Sequence, residues 1–176
     1  MLSVGIETTN AASLATVDKC WNRPERYSSA IRTLREHGID ISTEMMVGLD
    51  EDDESIFDAT CDFVMNNRIS VPRVHILTPI PGTPLYDKMR AEGRVTVEDF
   101  THYTGGQIVF RPRRMDPLRL QKKYWELYER LYSWKSIWHR IGRNHARLEP
   151  YVKAFVLGAN LHYRRHIHHR ITPGII

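Results

Sequence analysis

The chain lacks long apolar runs, has only two cysteines, and carries few acidic residues after residue 100. Each scarcity excludes something. A bilayer span needs about 18 or more consecutive apolar residues, so no membrane-crossing segment is expected. The opening Met1-Leu2-Ser3-Val4-Gly5-Ile6-Glu7 has no basic stretch ahead of an apolar one, so no signal peptide is expected. Cys20 and Cys61 form no Cys-x-x-Cys or other ligand spacing, which excludes a disulfide framework and makes a reducing, cytoplasmic compartment the default. What is present is a globular composition: 41% hydrophobic residues argue against disorder, and 176 residues suit one domain of ordinary size.

The net charge of +4 hides an asymmetry. Residues 1–99 hold 10 Lys+Arg against 17 Asp+Glu, a net of −7; residues 100–176 hold 15 against 4, a net of +11. Such a split suggests two units, 1–98 and 99–176, with different surroundings.

The first unit alternates strand and helix patterns. Ser3 to Glu7 fits a buried strand, and Ser13, Leu14 and Val17 allow a short helix. Pro24 opens a clearer helix in which Tyr27, Ala30, Ile31 and Leu34 share a face, with Gly38 as its stop. Ile39 to Val47 reads as a strand ending at Gly48, and Asp50 to Glu54 match the dipole at the start of the next helix. Ile56, Phe57, Thr60, Phe63 and Val64 form that helix's inner face. A third strand is expected over Val74 to Ile80, followed by a helix that Thr83 caps and Pro84 opens. Units repeated at this spacing indicate parallel α/β architecture, with the strand C-termini on one edge. Beyond Gly93 the sequence predicts a strand over Gln107 to Phe110. A long helix should follow Asp116-Pro117, with Leu120, Tyr124, Leu127, Tyr128, Leu131 and Trp138 on one side. After a turn over Gly142 to Leu148, a second helix from Pro150 should turn Val152, Phe155, Val156 and Ala159 inward.

Four segments in this order carry a resemblance: Gly5-Ile6-Glu7-Thr8, Met46 to Asp52, Ile76 to Tyr86, and Glu92-Gly93-Arg94-Val95. Phe110 to Met115 and Tyr132-Ser133 add to it. The chain resembles the C-terminal half of a radical S-adenosylmethionine (SAM) enzyme of the cobalamin (B12)-binding type, with its downstream helical region. The fold implied is half of a TIM-like barrel followed by helices. The resemblance places Glu7 at the ribose or amino-acid end of SAM, Met46, Val47 and Gly48 against the adenine, and Leu77, Thr78 and Pro79 as completing the adenine pocket. In the complete enzyme it implies that a reduced [4Fe–4S] cluster cleaves SAM to a radical that abstracts a substrate hydrogen, with cobalamin mediating methyl transfer or a related rearrangement of a small-molecule substrate.

One departure bears on activity. The family holds its cluster through a Cys-x-x-x-Cys-x-x-Cys run, which Cys20 and Cys61 do not supply. The chain is therefore expected to be inactive alone, its partner being the missing N-terminal barrel half and cobalamin domain, in the same or a separate chain. From the residues alone, Asp50 to Glu54 read as a solvated helix start rather than a metal site, and His162 to Arg170 as a solvated basic helix end. The Tyr and Trp stripe from Tyr124 to Trp138 reads as packing. The alternative function is a non-catalytic module whose basic, aromatic C-terminal helices dock on nucleic acid, an anionic membrane or a partner protein. The lack of a reading motif argues against nucleic acid, and the lack of a long clean apolar face on the terminal helix argues against a membrane, where only a peripheral contact stays open.

Overall fold

The computed structural model describes residues 1–16, 19, 21–142 and 149–174. Val17, Cys20 and most of the expected turn, 143–148, lie outside the described residues. The elements are β1 (Leu2–Glu7), α1 (Ala11–Thr16), α2 (Pro24–Glu36), β2 (Ile41–Val47), α3 (Ser55–Asn66), β3 (Val71–Ile76), α4 (Pro84–Ala91), α5 (Pro117–Leu131), α6 (Trp134–Ile141) and α7 (Pro150–His168). The three strands form one parallel sheet in the order β1-β2-β3. Closure of this sheet into a barrel would need strands beyond those described.

Local chemistry sets most boundaries. Gly38, at φ +74°, lets the chain leave α2 in a left-handed turn. Thr83 accepts from the Tyr86 amide at 3.3 Å and Asp116 from the Arg119 amide at 3.0 Å, capping α4 and α5, each of which has proline in its first turn. Ile41, Met45 and Val47 alternate inward along β2 and meet Ile56, Phe57 and Val64 of α3 in one core. Leu120, Leu127 and Leu131 of α5 join the same core, so the basic region packs into the sheet's own interior.

The third strand begins and ends earlier than the sequence predicts, at Val71 and Ile76 rather than Val74 and Ile80. Pro72 is the reason its start is obscured: proline is tolerated in a strand only where its missing N–H faces no neighbouring strand. Here β3 is an edge strand, and its outer side is closed by a helix. Tyr132 Oη donates to Pro72 O at 2.7 Å; Tyr128 Oη lies 2.6 Å from Val74 O and accepts from the Val74 amide at 2.8 Å; Tyr124 Oη donates to Val74 O at 3.1 Å. The Ile76 amide is taken by Gly105 O at 2.7 Å. Three tyrosines spaced four apart thus replace a neighbouring strand.

Below them lies a fully buried cation. Arg140, with 0% exposure, donates to the carbonyls of Ile69 and Ser70 at 2.8 Å, to Leu131 O at 2.8 Å, to Asn160 Oδ1 at 2.9 Å and to Ser136 Oγ at 3.2 Å. All five partners are neutral oxygens. Burial pushes its pKa down to about 10, leaving it charged at neutral pH. One side chain thereby ties α5, α6, α7 and the approach to β3.

Three sequence expectations are corrected. The helix after Pro117 does not run through Trp138: Tyr132 ends α5, and Ser133 caps a new helix by accepting from the Ser136 amide at 3.2 Å. That break turns Trp138 outward, to 77% exposure. Gln107 to Phe110 is no strand and makes only an isolated antiparallel bridge, Val95 with Phe110. Phe155 is 60% exposed, the inner face of α7 being Val156, Asn160, Tyr163 and Ile167. Asn160 is placed there because its amide donates to Ser70 O and Val156 O at 2.9 and 2.8 Å.

Tyr128→Phe should destabilise the protein by about 2 kcal/mol, because it leaves the buried Val74 amide without a partner. Tyr132→Phe removes one donor from a carbonyl and should lose about 1 kcal/mol. Urea unfolding of both variants checks the order.

Candidate functional site

Parallel pairing sets the C-terminal ends of β1, β2 and β3 side by side, so the segments following Glu7, Val47 and Ile76 emerge along one edge of the sheet. The first exit is strained. Glu7 sits at φ +64°, a left-handed conformation rare for a residue with a β-carbon, and the register slips between Gly5 and Glu7. Such a conformation stores on the order of 1–3 kcal/mol and is characteristic of sites where geometry is imposed for a purpose. The twist folds the Glu7 carboxylate back over Gly5: a β-carbon at Gly5 would stand 3.2 Å from Glu7 Oε1. Glu7 is half-buried, and Lys19 Nζ lies 3.6 Å away.

The second exit is held by Asp52. This carboxylate, 1% exposed, accepts from the amides of Gly48 and Leu49 at 3.1 and 3.0 Å, from Ser13 Oγ at 2.6 Å and from Asn10 Nδ2 at 3.0 Å. Burial pushes its pKa up despite the four hydrogen bonds. Asn10 also donates to Glu51 O at 3.1 Å. The segment after β1 is thus fastened to the segment after β2 through one buried acid. At the third exit the Leu77 amide continues the ladder to Val47 O at 2.9 Å, and Thr78 Oγ1 donates back to Ile76 O at 3.0 Å.

The seven sequence-selected residues separate by environment. Glu7, Met46 and Thr78 are partly exposed at or near the strand ends. Val47 and Leu77 belong to the core, so any contact they make at the rim is through backbone; Pro79 is buried. Gly48, at φ +87°, has its amide on Asp52, and a β-carbon there would lie 2.7 Å from Leu120 Cδ1. Its lack of a side chain admits α5.

Polar residues that the sequence reading passed over occupy the sheet face below the rim. Register pairs Gly5 with Glu44 and Glu44 with Arg73, while Met46 pairs with His75. Glu44 is ion-paired with Arg73 and lies 3.2 Å from His75 Nε2; Arg73 also donates to Ser3 Oγ at 2.9 Å. The signal was available: Ser42, Glu44 and Met46 alternate with Ile41, Thr43, Met45 and Val47. The late expected start of β3 left Arg73 outside its strand.

The acidic run keeps solvent contact, as the sequence suggested, at Asp53, Glu51 and Glu54, but most of its acids are also paired with arginines. Arg94 forks onto Asp50 at 2.5 and 3.2 Å, Arg113 reaches Asp50 at 3.0 Å and Glu92 at 2.9 Å, and Glu51 pairs with Arg114. Glu54 and Asp58 meet Arg119 and Arg130, each at 2.5 Å. Among the described residues no group of three or more His, Cys, Asp or Glu is placed to hold a metal.

Asp52→Ala should loosen both exits and destabilise the fold by roughly 3 kcal/mol in urea unfolding, since it strands two buried amides and two side-chain donors. For Asp50, burial alone would raise the carboxyl, but Arg94 and then Arg113 hold it below its ordinary value. A depressed carboxyl stabilises the fold above its unfolded pKa of about 4 and loses that contribution as pH falls. The unfolding midpoints of the unaltered chain and Asp50→Asn should therefore differ near neutrality and converge below about pH 3.

Residues 83–159 match a domain family described as a domain of unknown function (DUF4070). The chain is 33% identical over 141 residues to a bacteriochlorophyllide d C-12(1)-methyltransferase of Chlorobaculum tepidum, a match covering 80% of this chain and 30% of that protein. It is 30% identical over 158 residues to the bacteriochlorophyllide d C-8(2)-methyltransferase of the same organism, covering 89% and 35%. Over 96 residues it is 29% identical to a hopanoid C-2 methylase of Rhodopseudomonas palustris, covering 54% and 18%. The chain spans about a third of the length of the first two of these curated relatives.

Proposed function

Because the chain belongs to the radical SAM enzymes and fits their C-terminal half, we propose that it supplies part of the SAM-binding face of a cobalamin-dependent methyltransferase. The remainder, an N-terminal barrel half with the cluster-binding cysteines and a cobalamin domain, lies on the same or a separate chain. SAM, a [4Fe–4S] cluster and cobalamin supply the radical and methyl-transfer chemistry in such an enzyme. Cys61 is buried in the core and Cys20 stands 41 positions away in sequence, so the cysteines here do not fit a cluster site. The chemistry of the rim supports SAM as its ligand. It offers a half-buried carboxylate at Glu7, an apolar thioether at Met46, and a backbone fixed by Asp52 and by the Leu77 to Val47 bond.

The observation that carries this reading is the strained Glu7, whose carboxylate is turned over the sheet face at the end of β1. A carboxylate there accepts from a ribose hydroxyl or from the ammonium of SAM, the latter bond being charge-assisted. Met46, Thr78 and the backbone of Val47, Leu77 and Pro79 line the adenine side and keep water from it. Below them Glu44, Arg73 and His75 present polar groups toward the space in which a small-molecule substrate would lie. The sheet supports the position of the missing half: β3 is closed by tyrosines, whereas β1 is the edge with no strand beyond it among the described residues. A methyl group as the transferred unit is supported by the names of the relatives.

The experiment is reconstitution. Sequence upstream of Met1, or a co-encoded chain, should carry a Cys-x-x-x-Cys-x-x-Cys run; joined to it, the protein should bind SAM in equilibrium dialysis. Glu7→Gln should weaken that binding about tenfold or more, the worth of one charge-assisted hydrogen bond. Unchanged SAM affinity in this variant would remove Glu7 from the site.

A further inference from the structure

The proposed function leaves the last two helices unused, yet they hold the most one-sided charge in the chain. Helices α6 and α7 carry five Lys+Arg and four His with no acidic residue; of these cations Arg140 is buried. The same helices expose large apolar side chains: Trp134 (62%) and Trp138 on α6, with Tyr151, Phe155, Leu157 and Leu161 on α7. A contiguous exposed apolar patch rimmed by polar residues marks an interaction surface.

Geometry joins the charge to the apolar surface. Leu157, Leu161, Arg164, Arg165 and His168 follow helical spacing along one flank of α7. Most of them line a cleft of ≈ 750 Å³ whose opposite wall includes Tyr132 and Trp134. Arg164 donates to Tyr132 O at 2.7 Å, and its guanidinium stands 5.0 Å from the Trp134 ring centre. Arg170 engages the cleft's acidic group, Glu129, at 2.9 Å. Trp134 and Trp138 lie one helical turn apart, on the same side of α6. Tyr132 reaches Pro72, near the N-terminal end of β3, so this cleft sits toward the end of the sheet away from Thr78 and the proposed SAM rim.

We propose that the α6–α7 face docks the protein on an anionic lipid surface. Trp134, Trp138, Leu157 and Leu161 enter the headgroup boundary while Arg164 and Arg165 meet lipid phosphates. Aromatic residues beside basic ones favour that boundary, where the ring is half apolar and the cation keeps its hydration. Charge of one sign along the flank matches a surface that is uniformly negative. Nucleic acid would match the charge but offers no apolar phase for Leu157 and Leu161. Among the described residues no helix is long and apolar enough to cross a membrane, so the contact is peripheral.

Co-sedimentation of the purified chain tests this. The probes are vesicles of phosphatidylcholine alone, the same vesicles with phosphatidylglycerol, inorganic phosphate and duplex DNA. Expected are binding to the anionic vesicles, weak binding to neutral ones, release by salt, and a blue shift of tryptophan emission on the vesicles only. Arg165→Gln should lower partitioning roughly fivefold. Trp138→Ala should lower it further while cooperative unfolding stays unchanged. Equal binding to both vesicle types, no binding by a chain that still unfolds cooperatively, or preference for DNA would overturn the proposal. So would burial of Trp134 and Trp138 by the remaining protein in the complete enzyme without lipid. None of these readouts depends on SAM, so this proposal and the proposed function fail separately.

Discussion

The architecture turns on the closure of one strand edge by side chains. An exposed edge presents unpaired amides and carbonyls, and burying it without partners is costly. On β3 the partners are phenol hydroxyls from α5. A helix advances about 6 Å in four residues and a strand about 6.6 Å in two, so hydroxyls four apart can follow carbonyls two apart. Tyr132 on Pro72 and Tyr128 on Val74 use that near-match, running antiparallel to the strand. Pro72, with no N–H to satisfy, is suited to this edge. The aromatic bodies fill the space between sheet and helix; burial raises the pKa of all three phenols, keeping them neutral donors.

With that edge closed, the helical region is part of the sheet's own packing. Leu120 fills the hollow left by Gly48, and Arg140 satisfies carbonyls from the loop before β3 and the end of α5. The acidic start of α3 meets Arg113, Arg114, Arg119 and Arg130. Part of the charge asymmetry of the two sequence halves is thus an ionic seam. Most of these pairs are solvent-exposed and individually weak, so they specify how the parts meet more than they add stability.

The rim depends on the same arrangement at one remove. Asp52 draws in Asn10 and Ser13 from after β1 and the amides at the end of β2, while Arg94 and Arg113 hold neighbouring Asp50. The strained Glu7 is therefore set on a frame whose strain is borne by buried hydrogen bonds.

Much of this was written locally. The strand pattern of Ile39 to Val47, the helical spacing of Ile56 to Val64, the Thr83-Pro84 and Asp116-Pro117 starts and the Gly38 stop depend on neighbours a few residues away, and these elements formed there, the strand starting two residues later at Ile41. The segments around Glu7, Gly48 and Thr78 were likewise legible as strand exits, because parallel strands place their ends together. Contacts over long sequence separation were not legible. Tyr128 read as an apolar stripe residue because its hydroxyl's partner is 54 positions away, and Asp52 read as one of five solvated acids because its donors stand up to 42 positions away. Ser133 splits a helix that periodicity runs straight through, since its caps and the burial of Arg140 outweigh propensity. Pattern decides which face of an element is apolar; only packing decides which buried polar atom finds a partner, and here those partners shape the rim and close the sheet.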